Sequence, residues 1–109
     1  MPANSPIAKL NDLLRTTLMC GRVVITPGIN GLPEHQRDEV LSAVRHFDRF
    51  TVHNDPYGDR DFGWIEHAEA GKVFWKIDYY NRDLTEGSED PADPLVTCRV
   101  LTIMLAEEY

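Results

Sequence analysis

Apolar residues along this chain recur with two spacings, one of three to four residues and one of two. The helical spacing comes first, in Ile7, Leu10, Leu13, Leu14 and Leu18. Ser5-Pro6 supplies an N-cap followed by proline at the first helical position. The pattern predicts a helix over about residues 6–18, ended by Gly21. Arg22 to Thr26 reads as a short β-branched strand, stopped by Pro27-Gly28. After the Asn30-Gly31 turn, Pro33 opens a second helix whose buried stripe is Val40, Leu41, Val44 and Phe47. Phe50 to His53 is expected as a short strand, and residues 54–61 as a polar turn.

The two-residue spacing appears at residues 61–80, DFGWIEHAEAGKVFWKIDYY. Val73, Trp75, Ile77 and Tyr79 fall on one face; Phe74, Lys76, Asp78 and Tyr80 fall on the other. With Ala68-Glu69-Ala70-Gly71 as the loop, a hairpin would pair His67 with Lys72, Trp64 with Trp75 and Phe62 with Ile77. On the opposite face Ile65 would meet Phe74, Gly63 would lie under Lys76, and Asp61 would meet Asp78. Residues 81–93 follow as a long acidic loop. Asp93-Pro94 repeats the cap-and-proline signal, and Leu95, Val96, Val100, Leu101, Ile103, Met104 and Leu105 would cover most of a third helix. The order implies an α+β class: one domain, 1–109, with a small antiparallel sheet centred on the 62–80 hairpin and about three helices, mainly on one face.

Charge changes the functional picture more than composition does. The chain of 109 residues has a net charge of −7, unevenly spread. Residues 1–50 hold six Lys/Arg and five Asp/Glu, whereas residues 51–109 hold five and thirteen. That excess disfavours direct contact with a phosphate backbone. It suits a protein partner with a basic surface, including the nucleic-acid groove of another protein. No apolar run approaches a membrane span, and no signal-peptide pattern opens the chain, so a cytoplasmic protein is expected. Cys20 and Cys98 have no metal spacing and read as free, mostly buried thiols of a reducing compartment.

Candidate chemistry is sparse. His35, Glu39, Ser42 and His46 share a helix face, but His35 and His46 are three turns apart, too far for one ion. Asp55, Asp59 and Asp61 lack the spacing of a calcium loop. Asp61-Phe62-Gly63 has none of the companion motifs of a kinase. No metal, cofactor or catalytic residue is therefore assigned. The candidate partner-binding residues are Asp55, Tyr57, Asp59, Asp61, Asp78, Tyr80, Arg82, Glu86, Glu89 and Asp90: carboxylates for the charge, with Tyr and Arg as anchors. Two other classes stay open. One is a homodimer or an accessory partner of a neighbouring gene product. The other is a small enzyme built on Asp61, Lys76 and Asp78, with Tyr80 beside them.

Several segments are shared with known sequences: Asn11-Asp12, Leu14-Arg15-Thr16-Thr17, Gly21-Arg22-Val23-Val24, Asn54-Asp55-Pro56, Asp61-Phe62-Gly63, Phe74 to Tyr80 and Arg99 to Tyr109. Through them the chain resembles domain-of-unknown-function family 3768, a family of small bacterial proteins. The resemblance implies no activity. It implies a setting on plasmids, phages and other mobile elements, where small acidic proteins often inhibit host defence, as anti-CRISPR and anti-restriction proteins do.

Overall fold

The computed structural model describes residues 5–109; the first four residues of the expected single domain lie outside it. Helix α1 (Pro6–Thr17) leads to strand β1 (Arg22–Ile25), the short helix α2 (Pro27–Asn30) and helix α3 (Glu34–Arg45). Strands β2 (Phe62–His67), β3 (Gly71–Tyr80) and β4 (Cys98–Leu105) follow, and a 3-10 turn spans Ala106–Glu108. The four strands form one sheet in the order β1-β4-β3-β2. β4 runs antiparallel to β3 and parallel to β1. The α+β class holds, with a mixed sheet.

Local chemistry explains the ends. Ser5 Oγ accepts from the Ala8 N–H at 2.9 Å, as an N-cap should. Leu18, not Gly21, closes α1 in the left-handed conformation, with φ 59°. Gly21 serves packing instead: a Cβ there would lie 2.9 Å from Leu14 and 3.0 Å from the Arg99 carbonyl.

One face of the sheet carries the core. Val73, Trp75, Ile77, Leu101 and Ile103 pack there against Leu14 of α1, Ile29 of α2, and Val40 and Val44 of α3. Phe47 and Phe50 meet Trp75 edge-on, with centroids 5.6 and 6.1 Å away. The opposite face has no helix over it among the described residues. Phe62, Phe74 and Tyr109 cluster there, with centroids 5.1 to 5.8 Å apart.

Further expectations about the elements need correction. The hairpin pairs one residue differently: His67 faces Gly71, Trp64 faces Phe74, Gly63 faces Trp75 and Phe62 faces Lys76. The turn is therefore Ala68 to Ala70, and Gly71, at φ 79°, begins β3. Trp64 consequently leaves the core face and is 43% exposed. Residues 98–105 form the inner strand β4 rather than a third long helix. Asp93 Oδ1 does accept from the Leu95 N–H, at 2.9 Å, but that turn does not propagate. Phe50–His53 forms no strand; Phe50 is buried and the segment continues as turn.

Candidate partner-binding surface

The sheet has two ends, and the acidic loops share one of them. β3 finishes there, while β1, β2 and β4 begin there. Residues 46–61 enter β2 at this end, and residues 81–97 join β3 to β4. The loops are fastened from beneath by Asn11, which is fully buried on α1. Its amide nitrogen donates to the Asp59 carbonyl at 2.9 Å and meets the Tyr79 hydroxyl at 2.7 Å. Its amide oxygen accepts from Arg99 Nε at 2.9 Å. The Tyr79 hydroxyl donates to Asp61 Oδ2 at 3.0 Å, and Arg99 reaches the Pro91 carbonyl. One helix side chain thus ties both acidic loops to the sheet.

A second cluster holds the 46–61 loop. Buried Arg15 donates to the carbonyls of Val44, Arg45 and Phe47 at 2.8 to 3.1 Å, covering the C-terminal end of α3. Asp12 pairs with Arg15 at 3.0 Å and with Arg60 at 2.9 Å. Arg60 in turn stacks over Phe50 at 4.8 Å. Burial pushes the Arg15 pKa down, and Asp12 opposes that shift. Burial also raises the Tyr79 pKa, so the phenol remains a donor to Asp61.

The nominated residues divide. Among the described residues, no Lys, Arg or His lies within ion-pair distance of Asp55, Asp59, Asp61, Glu86, Glu89 or Asp90. Burial, then the charges of Asp61 and Asp55, raise the Asp59 pKa. Tyr57, 88% exposed, stands on the same loop. Arg82 is exposed and lines a hollow with Glu86 and Glu89. Tyr80 is half-buried at the end of β3, bridged to Gly87. Asp78 stands apart, because it pairs with Lys76 at 3.0 Å on the helix-free face and is already neutralised.

The corrected register also separates the Asp61, Lys76 and Asp78 group. Asp61 lies opposite Ile77, whose N–H donates to its carbonyl at 2.8 Å, and its carboxylate turns to Tyr79 on the helix face. Lys76 and Asp78 occupy the other face. The expected Asp61–Asp78 juxtaposition is not formed.

Glu39, His67 and Glu69 also converge. His67 Nε2 donates to Glu39 at 3.0 Å, while Nδ1 accepts from the Ala70 N–H at 3.0 Å. Both ring nitrogens are thereby engaged, and the trio acts as a clasp between hairpin and α3. Neither thiol is in a disulfide; Cys20 is exposed rather than buried, and Cys98 is half-buried.

Sequence reasoning gave no role to Asn11, Arg15 or Glu108. The Glu108 carboxylate accepts from Thr26 Oγ1 at 2.6 Å and from the N–H groups of Gly28 and Leu105 at 2.9 Å. These bonds hold its pKa below the usual carboxylate range. No helix among the described residues is long and apolar enough to cross a membrane.

A family model described as a protein of unknown function (DUF3768) matches residues 25–108. The shared segments between Asn11 and Val24 lie ahead of that match. No curated protein and no solved structure matches the chain.

Proposed function

We propose that this chain, which belongs to the DUF3768 family of proteins of unknown function, acts by binding a protein partner with a basic surface. The observation that carries the reading is the gathering of uncompensated carboxylates on two loops at one end of the sheet. Unpaired charge raises the association rate with an oppositely charged partner and fixes orientation. Tyr57 and Arg82 stand on those loops as anchors. The two free cysteines suit a cytoplasmic setting. A nucleic-acid-handling protein is the partner class that best fits. Its phosphate-binding groove presents the clustered Lys and Arg that these carboxylates would neutralise. In the mobile-element setting implied by the family resemblance, that reading becomes inhibition of a host defence complex of CRISPR or restriction type.

Affinity capture from a bacterial lysate at low salt, with mass spectrometry, tests the reading. The expected catch is a basic protein whose retention falls steeply between 50 and 300 mM salt, on the order of a Debye-screened contact. Retention should also fall at least tenfold when Asp55, Asp59, Glu86 and Glu89 are changed together to Asn or Gln. Capture indifferent to salt and to those changes would refute a charge-driven role.

A further inference from the structure

The sheet's two outer edges are protected very differently. β1 is four residues long and runs at once into Pro27, and short edges next to proline resist pairing. β2 has six residues in unbroken register, with no proline and no bulge. The Ile77 N–H bonds to the Asp61 carbonyl. By alternation, Asp61, Gly63, Ile65 and His67 turn their backbone groups toward β3. Phe62, Trp64 and Glu66 therefore direct theirs outward, and among the described residues nothing pairs with them. Along this edge runs a cleft of about 610 Å³, lined by Phe47, Arg49, Asn54, Trp64, Ile65 and Glu66 among others. Asp55, Asp59 and Asp61 lie on the segment that enters β2 at its Phe62 end.

We propose that β2 is a strand-addition site for an extended segment of the basic partner, which joins the sheet antiparallel as a fifth strand. This rests on the binding reading above and specifies its partner. Backbone groups of Phe62, Trp64 and Glu66 supply the ladder. Alternate apolar side chains of the segment enter the cleft against Phe47 and Ile65. An antiparallel segment places its C-terminal end beside Asp61, so Lys and Arg follow the apolar part there and meet the unpaired carboxylates. The occupant is thus a peptide with alternating apolar residues and a basic C-terminal flank. A second copy of this chain, added antiparallel through its own β2, would set His67 to Ala70 beside Asp61 and bring no Lys or Arg to that end.

The probe is the labelled peptide Val-Thr-Val-Thr-Val-Thr-Lys-Arg-Lys, followed by fluorescence anisotropy and by backbone amide shifts. Binding should move the Trp64 and Glu66 amide resonances. With the Val side chains in the cleft, the Thr N–H groups are the ones that face β2, and N-methylation of the Thr residues should weaken binding at least tenfold. Glu66→Pro removes an outward N–H and leaves the ladder to β3 intact, as proline at an edge allows. It should weaken binding at least tenfold, with Glu66→Thr as the control that keeps the N–H. Should Glu66→Pro fail to fold, the N-methylated peptide decides alone. Equal binding of the methylated peptide, with salt dependence retained, overturns strand addition and leaves acidic docking standing. Lack of binding by this peptide and by Lys-Arg-Lys alone at low salt overturns both. Sedimentation showing a dimer of the free protein that Glu66→Pro dissolves makes a second copy the occupant and also overturns the proposal.

Discussion

Asn11 shows how much one polar side chain can organise. It is buried in full and uses both ends of its amide, on partners from three separate segments. Asn11→Ala would leave Arg99 Nε and the Asp59 carbonyl without a partner in the interior. The expected loss is about 2–4 kcal/mol in urea denaturation, since each stranded buried group costs about 1–3 kcal/mol. Amides in both loops should exchange faster at the same time. Gly63 tests the core in a different way. A Cβ at that position would lie 2.6 Å from Trp75 Nε1 and 2.8 Å from Trp75 Cζ2. Gly63→Ala should therefore cost about 1–3 kcal/mol through overpacking, with a shifted indole fluorescence maximum as the direct readout. Neither residue announces itself in the sequence. A polar residue on a helix reads as solvent-facing, and a glycine within a strand shows nothing of what lies beneath it.

At the scale of elements, what was legible was what depends on local spacing. Helices α1 and α3, β1 and the hairpin strands lie where cap signals and alternation put them, whereas the short α2 falls where only a strand stop and a turn were expected. Register was not legible, because a loop of three residues and a loop of four both suit Ala68 to Gly71. A slip of one residue sends Trp64 to the other face and parts Asp61 from Asp78. β4 was misread because an inner strand of mostly apolar residues has no distinctive period, and Asp93-Pro94 resembles a helix start. The last turn offers a pH test. Hydrogen bonds from Thr26, Leu105 and Gly28 depress the Glu108 pKa. A depressed carboxylate pKa contributes stability above the unfolded value, and that contribution fades as pH falls through the folded one. Protection of the Gly28 amide from hydrogen exchange should thus decline on acidification below the ordinary glutamate range. In Glu108→Gln it should start lower and lose that dependence on pH.

For the whole molecule, the excess of carboxylates after residue 50 needed only counting. Their shared end needed the topology, since only the β3–β4 pairing shows that residues 81–97 return beside residues 46–61. The raised Asp59 pKa adds a further expectation. Its burial and like-charged neighbours favour the proton, whereas a cationic partner favours the carboxylate. Affinity for a basic protein should accordingly weaken as pH is lowered through the carboxylate range, with proton release on binding measurable by calorimetry in buffers of different ionisation enthalpy.

The parallel contact between β1 and β4 joins residue 22 to residue 100 and so spans most of the chain. Closing a loop of that size is entropically costly, while an isolated hairpin closes in about 1–10 μs. Refolding should therefore have a late step, in which the first strand docks onto a sheet nucleated by the other three. Val23→Ala and Ile25→Val should accelerate unfolding and leave the folding rate nearly unchanged in stopped-flow tryptophan fluorescence. A folding limb slowed by those changes would place the first strand in the nucleus instead.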